Sequence, residues 1–94
     1  MPKVIVQHHV TDYDRWFSAF TAHEVVRKQH GATSHSVSRA VDEPNEIVVV
    51  TEFATVEGAR SFVEHPSLRE VMDRAGVEGP RQFWIAEESD ARTY

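Results

Sequence analysis

Six histidines and no cysteine stand among the 94 residues. Imidazole titrates near neutral pH, so each histidine is a candidate base, proton carrier or orienting group. His8 and His9 are adjacent where an apolar run, Val4-Ile5-Val6, comes to its end. Successive strand residues point to opposite faces, so these two cannot hold one metal ion between them. One must point under whatever covers the sheet, and the other away from it. His8 shares its parity with Val4, Val6 and Val10, which makes it the preferred general base at a buried cavity. The plainer alternative is a satisfied buried imidazole on one face and an interface contact on the other. His23 and Arg27, one turn apart near a helix end, most simply complement the helix dipole. His23 and His30 lie two turns apart, about 10 Å, too far to chelate one ion. His35 and Arg39 share one face of an alternating strand and read equally as a solvated edge. Glu52 interrupts an otherwise apolar strand, either paired with a base or reaching solvent. No three-residue catalytic grouping stands out from spacing alone.

These side chains need elements to place them. The run from Val4 to Phe20 reads as a strand, about Lys3 to Val10, feeding a helix with Thr11 at its N-cap and Asp12 and Asp14 in the first turn. Tyr13, Trp16, Phe17 and Phe20 fall on one side of that helix, which the pattern carries from Asp12 to about His30, ending at Gly31. Around Trp16 the stripe continues through Phe20, His23 and Arg27, beginning aromatic and ending polar. Thr33 to Val41 alternates as a strand, Asp42-Glu43-Pro44-Asn45 is turn chemistry, and Glu46 to Phe53 is a second strand, forming a hairpin. Thr55 caps a helix that stops at Pro66, and Ser67-Leu68-Arg69-Glu70 has the form of a fresh capping box. The second piece ends at Gly76 and Gly79-Pro80, and Arg81 to Glu87 is the last strand.

The order β-α-β-β-α-β predicts an α+β, ferredoxin-like chain: a four-stranded antiparallel sheet with helices on one face. Val4-Ile5-Val6 and Ile47-Val48-Val49-Val50 are apolar at odd and even positions alike. Helices cover only one face, so the second apolar face implies a partner, and two sheets packed across a two-fold axis would close a dimeric α+β barrel. Residues 1–94 are expected to form one domain, with an ordered core of about 3–87 and a polar tail at 88–94.

Ten Lys+Arg against 15 Asp+Glu give a net charge of −5, which argues against a nucleic-acid surface. The RNA-recognition motif shares this element order, but its third strand carries aromatics in a basic, glycine-containing motif, and EIVVVTEF has neither glycine nor a basic residue. A metallochaperone of this topology needs C-x-x-C, and thiolate chemistry is excluded without cysteine. P-loop, dinucleotide and nucleophile-elbow motifs are absent. No apolar run approaches the roughly 20 residues of a membrane span. The expectation is a soluble, cytoplasmic protein.

The chain resembles the dimeric α+β barrel superfamily, and within it small proteins of the antibiotic biosynthesis monooxygenase type. The likeness rests on His8-x-Val10, Asp12-Tyr13-x-x-Trp16, Phe20, His23, Arg27 and Gly31, then Glu52-Phe53, Ala59, Phe62, Leu68, Met72 and Ala75-Gly76-Val77, and spans residues 3 to 87. His65-Pro66 is similar to a His-Pro step in polyketide cyclases of the same superfamily, but Leu68 stands where those carry a second histidine. Haem-degrading members pair a first-strand Asn with a helical His, and the first strand here offers no Asn. The resemblance implies a homodimer with one small apolar cavity per subunit, in which Trp16, Phe20, Phe62, Met72 and Trp84 double as core and substrate-binding wall. It implies a cofactor-independent monooxygenase on an aromatic or polyketide-like substrate, with His8 or His65 as base and no metal or flavin. A polyketide cyclase or isomerase, and a non-catalytic ligand-binding or stress-related dimer, need the same pocket.

Overall fold

A computed structural model describes residues 1–94. Its elements are β1 (Pro2–Val10), α1 (Tyr13–Ala22), α2 (Glu24–Gln29), β2 (Ala32–Arg39), β3 (Glu46–Phe53), α3 (Val56–Glu64), α4 (Pro66–Arg74) and β4 (Val77–Glu87). The strands form one antiparallel sheet in the order β2-β3-β1-β4, with β1 and β3 central. This is the ferredoxin-like α+β arrangement, with each helical connection in two pieces.

The split between α1 and α2 replaces the single helix expected from Asp12 to His30. At His23 the backbone turns, and the Phe20 carbonyl accepts from the His23 N–H at 3.2 Å and from Arg27 Nη1 at 2.8 Å. A side chain inserted into the ladder breaks it there. The N-cap is Asp12, whose carboxylate accepts from the Arg15 N–H at 3.2 Å. Thr11 does not cap, because the helix begins at Tyr13, one residue later than its hydroxyl could serve, and its N–H donates to the Gly76 carbonyl at 3.1 Å. Gly31 ends α2 with φ +94°, a conformation glycine reaches without strain.

Thr55 caps α3 as expected, accepting from the Gly58 N–H at 3.0 Å. The second helical connection also breaks before Pro66, but Ser67 is not its cap. His65 closes α3 and opens α4: its backbone is extended and its Nδ1 accepts from the Ser67 N–H at 3.1 Å. Pro66 follows at the first helical position, where its missing N–H costs nothing. Two strands also differ from expectation. β2 stops at Arg39, leaving Val41 exposed, and β4 starts at Val77, four residues before Arg81. The edge position of β4 tolerates Pro80.

Residues paired across antiparallel strands share a face, which sorts the two sides of the sheet. Val4, Val6, His8 and Val10 of β1 lie beneath the helices with Ile47, Val49, Thr51 and Phe53 of β3, all buried. Trp16, Phe62, Leu68 and Met72 close over them from α1, α3 and α4. The opposite face carries Ile5, flanked by Val50 and Trp84, with Val48 beside Gln7. No helix covers it, and Trp84 is 47% exposed there. No helix is long and apolar enough to cross a membrane.

Candidate functional site

His8 stands where β1 loses its regular partner. The pairing of β1 with β4 steps from Gln7–Gln82 to His9–Glu78, so Gly79, Pro80 and Arg81 bulge out opposite His8. Proline cannot donate to a ladder, and Gly79 takes φ +71° to make the bend. The His8 ring points under the helices, 2% exposed, with Trp16 edge-on at 5.5 Å between ring centroids. Its Nδ1 is buried without a hydrogen-bond partner. Burial holds the imidazole below its ordinary pKa; interaction with its own backbone opposes the shift, the Arg81 charge adds to it, and the Glu46 charge opposes it more weakly. At neutral pH the ring is therefore uncharged and able to take a proton.

The aromatic wall comes from α1, where a 3.6-residue period stacks Trp16 on Phe20 at 5.1 Å. Phe17 turns outward, 41% exposed, stacked on Tyr13 at 5.7 Å. Past the helix break come His23 and Arg27, 7% and 3% exposed. His23 Nε2 is hydrogen-bonded to Ser67 Oγ at 3.0 Å. Its pKa is lowered first by burial and then by Arg27, His65 and His30 around it, so it too is neutral at pH 7. Arg27 lays its guanidinium over the Phe20 ring at 3.8 Å, donates Nη1 to the Phe20 carbonyl, and leaves Nη2 buried without a partner.

Between sheet and helices these residues enclose an apolar cavity of about 40 Å³, walled by Trp16, Phe20, Phe62 and Met72 and entered by the polar groups of His8, His23, Arg27 and Thr51. That is room for about three waters, well short of the roughly 300 Å³ of a drug-sized site. A polycyclic ligand would have to push the walls apart. Leu68 and Met72 separate the cavity from an outer groove of about 800 Å³ along α3, α4 and β4. Met72 is the flexible part of that partition.

Of the side chains singled out in the sequence, the cavity gathers His8, Trp16, Phe20, Phe62 and Met72. It does not gather the other two. Trp84 pairs with Ile5 on the uncovered face, because Phe83, one residue earlier, takes the helix-side parity opposite Val6. His65 lines the outer groove, its Nδ1 committed to the cap. His9 lies on the uncovered face, 2.8 Å from a Glu46 carboxylate oxygen. His23, Arg27 and Thr51 are the polar residues whose place in the cavity the sequence hid. The only signals were the polar end of the α1 stripe and a threonine at a helix-facing position of an apolar strand. No three His, Asp or Glu side chains converge as a metal site would require.

Solved structures with this architecture are numerous. A proposed antibiotic biosynthesis monooxygenase from Bordetella bronchiseptica superposes with a TM-score of 0.74 at 13% identity, over 93% of this chain and 95% of that one. The chain shares its ferredoxin-like fold with that protein. SnoaB, a cofactor-independent oxygenase from Streptomyces nogalater, matches with a TM-score of 0.71 at 14% identity over 94% of each chain. A dimeric ferredoxin-like protein from an uncultured marine organism matches with a TM-score of 0.66 at 12% identity over the whole of both chains. At these identities the likeness is one of fold. No family model matches the sequence, and no curated protein does.

Proposed function

We propose that this chain is a small-molecule-binding homodimer that acts as a cofactor-independent monooxygenase on a small phenolic substrate. The observation that carries the proposal is His8: a buried, uncharged imidazole with an unpartnered Nδ1, set into an aromatic-walled cavity. Burying a ring nitrogen without a partner costs free energy, and a substrate hydroxyl would recover it. In this scheme His8 takes the phenolic proton, and the resulting carbanion adds molecular oxygen at ring carbon. The peroxide receives the proton back from His8, then loses water to leave a carbonyl. Trp16, Phe20 and Phe62 hold the ring and keep water out, which preserves the carbanion for oxygen. SnoaB, with the same fold, is a cofactor-independent oxygenase, in keeping with this chemistry.

The homodimer rests on the uncovered face. Ile5, Val48, Val50 and Trp84 form its apolar centre, and His9–Glu46, Lys3–Glu52 and Lys3–Glu88 pairs form a polar rim. That is the anatomy of a protein interface, and a structural neighbour is described as dimeric. The net charge of −5 over the whole chain argues against a nucleic-acid partner. A cytoplasmic location belongs to the proposal.

Oxygen uptake with small monocyclic phenols tests the chemistry. The parent protein should consume oxygen without added metal or flavin, and His8→Asn should lower turnover by about 10² while the fold persists. The narrowness of the cavity favours one second reading, a non-catalytic ligand-binding dimer. Phenol binding without oxygen uptake or product would select it.

A further inference from the structure

Arg27 is a buried cation without a counterion. Its side chain is 3% exposed, yet no carboxylate lies within ion-pair distance of it. Glu24, the acid whose charge favours the guanidinium, pairs with Lys28 at 3.5 Å instead. His23, on the neighbouring turn, is a neutral imidazole at pH 7 and offers no counter-charge. One edge of the guanidinium is used, through Nη1 to the Phe20 carbonyl, and Nη2 is free. An uncompensated charge in an apolar interior is unfavourable unless something of opposite sign joins it.

The space around Arg27 says what shape that partner has. Arg27 and Thr51 border the apolar cavity on one side and, on the other, a polar hollow of about 80 Å³ between α2 and β2, edged by Ser34, His35 and the Glu24–Lys28 ion pair. Both spaces are bordered by these two residues. We propose that this junction is an anion site, and that the ligand is an aromatic monoanion whose ring lies against Trp16 and Phe62 and whose oxygen meets Arg27 Nη2. The proposal rests on the small-molecule-binding reading and narrows its substrate class. A single free donor edge and one uncompensated charge suit a monoanion rather than a phosphate dianion. The oxyanion can be a permanent carboxylate or a phenolate formed in place. In the second case Arg27 would also make His8 an adequate base, by stabilising the anion that deprotonation leaves.

Three probes of similar size separate these cases: benzoate, a permanent anion; 4-nitrophenol, which is yellow only as the phenolate; and nitrobenzene, which is neutral. With the parent protein, bound 4-nitrophenol should stay yellow about one pH unit or more below the free dye, and benzoate should bind about tenfold tighter than nitrobenzene. Arg27→Met should abolish both effects and keep nitrobenzene binding. If that variant does not fold, Arg27→Lys, which keeps the charge and loses the fork, should show a reduced dye shift. A shift for 4-nitrophenol without a preference for benzoate identifies the phenolate as the ligand form, and the reverse identifies the carboxylate. An unshifted dye together with equal binding of benzoate and nitrobenzene overturns the anion site and leaves the cavity reading standing. Failure of all three probes to bind overturns the cavity reading and this proposal with it.

Discussion

The Nε2 of His23 lies 3.0 Å from the Oγ of Ser67, tying the break between α1 and α2 to the first turn of α4. Ser67 therefore serves a tertiary contact and not its own helix. Ser67→Ala should leave a buried imidazole nitrogen unpaired, at about 1–3 kcal/mol. The cap of α4 should respond to a different change: His65→Ala removes the acceptor for the Ser67 N–H and should cost about 1 kcal/mol. Thermal melts of the two variants check both. A double-mutant cycle between His23 and Ser67 should show coupling, whereas one between His65 and His23 should show little.

What the sequence disclosed, and what it withheld, divides along the same line. The place of β3 was legible because Ile47 to Val50 is a continuous apolar run directly after the turn residues Pro44-Asn45. The side of the sheet taken by His8 followed from its parity with Val4 and Val6. The fold came from element order, which is local information. The helix break at His23 depends on Arg27 reaching back to the Phe20 carbonyl, and no local propensity encodes that. In Phe83-Trp84-Ile85 every residue is apolar, so a period of two cannot say which of them faces the helices. The bulge at Gly79-Pro80 read as a helix end because the same two residues serve both purposes. Arg27 read as a dipole complement because its burial is a product of packing by α3 and β2.

The uncovered face makes a prediction about assembly. Val48 and Val50 project from it, while Ile47 and Val49 lie under the helices. Changing Val48 and Val50 together to Lys should leave each chain folded and convert a dimer to a monomer in size-exclusion chromatography at micromolar concentration. Ile47→Lys with Val49→Lys should instead unfold the protein, since both are core positions. A parent protein that is a stable monomer at that concentration would count against the barrel.

Gly58 tests the packing of α3 against the end of α2. A Cβ at this position would overlap the His30 carbonyl oxygen, which is backbone and cannot swing away. The glycine is therefore needed for close approach rather than for an unusual φ. Although alanine is the better helix former, Gly58→Ala should destabilise by about 1–3 kcal/mol, as overpacking does. A denaturant melt of Gly58→Ala at or above the parent's midpoint would show that α3 can shift away without loss.

The buried histidines set the pH dependence of stability. His8 and His23 are both held below 6.5, the ordinary value they regain on unfolding. Below about pH 6.5 the unfolded chain takes up protons that the folded chain resists, and each bound proton favours unfolding. Their contribution is therefore flat above that pH and turns against the fold as the pH falls beneath it, until the folded-state pKa values are passed. The melting temperature should be steady from about pH 8 to about pH 7 and drop toward about pH 5. His8→Asn should melt lower than the parent at neutral pH if the ring is needed for packing against Trp16, but in either case should lose part of the acid-side slope. Asn cannot titrate, so a slope identical to the parent's would mean that His8 does not carry the linkage. The same variant measured in oxygen uptake separates the two roles. A base held neutral by burial gives a rate that falls with the fraction of uncharged imidazole, so the parent's activity should decline on the acid side below pH 6.5 and not at it. The residual activity of His8→Asn should lack that limb.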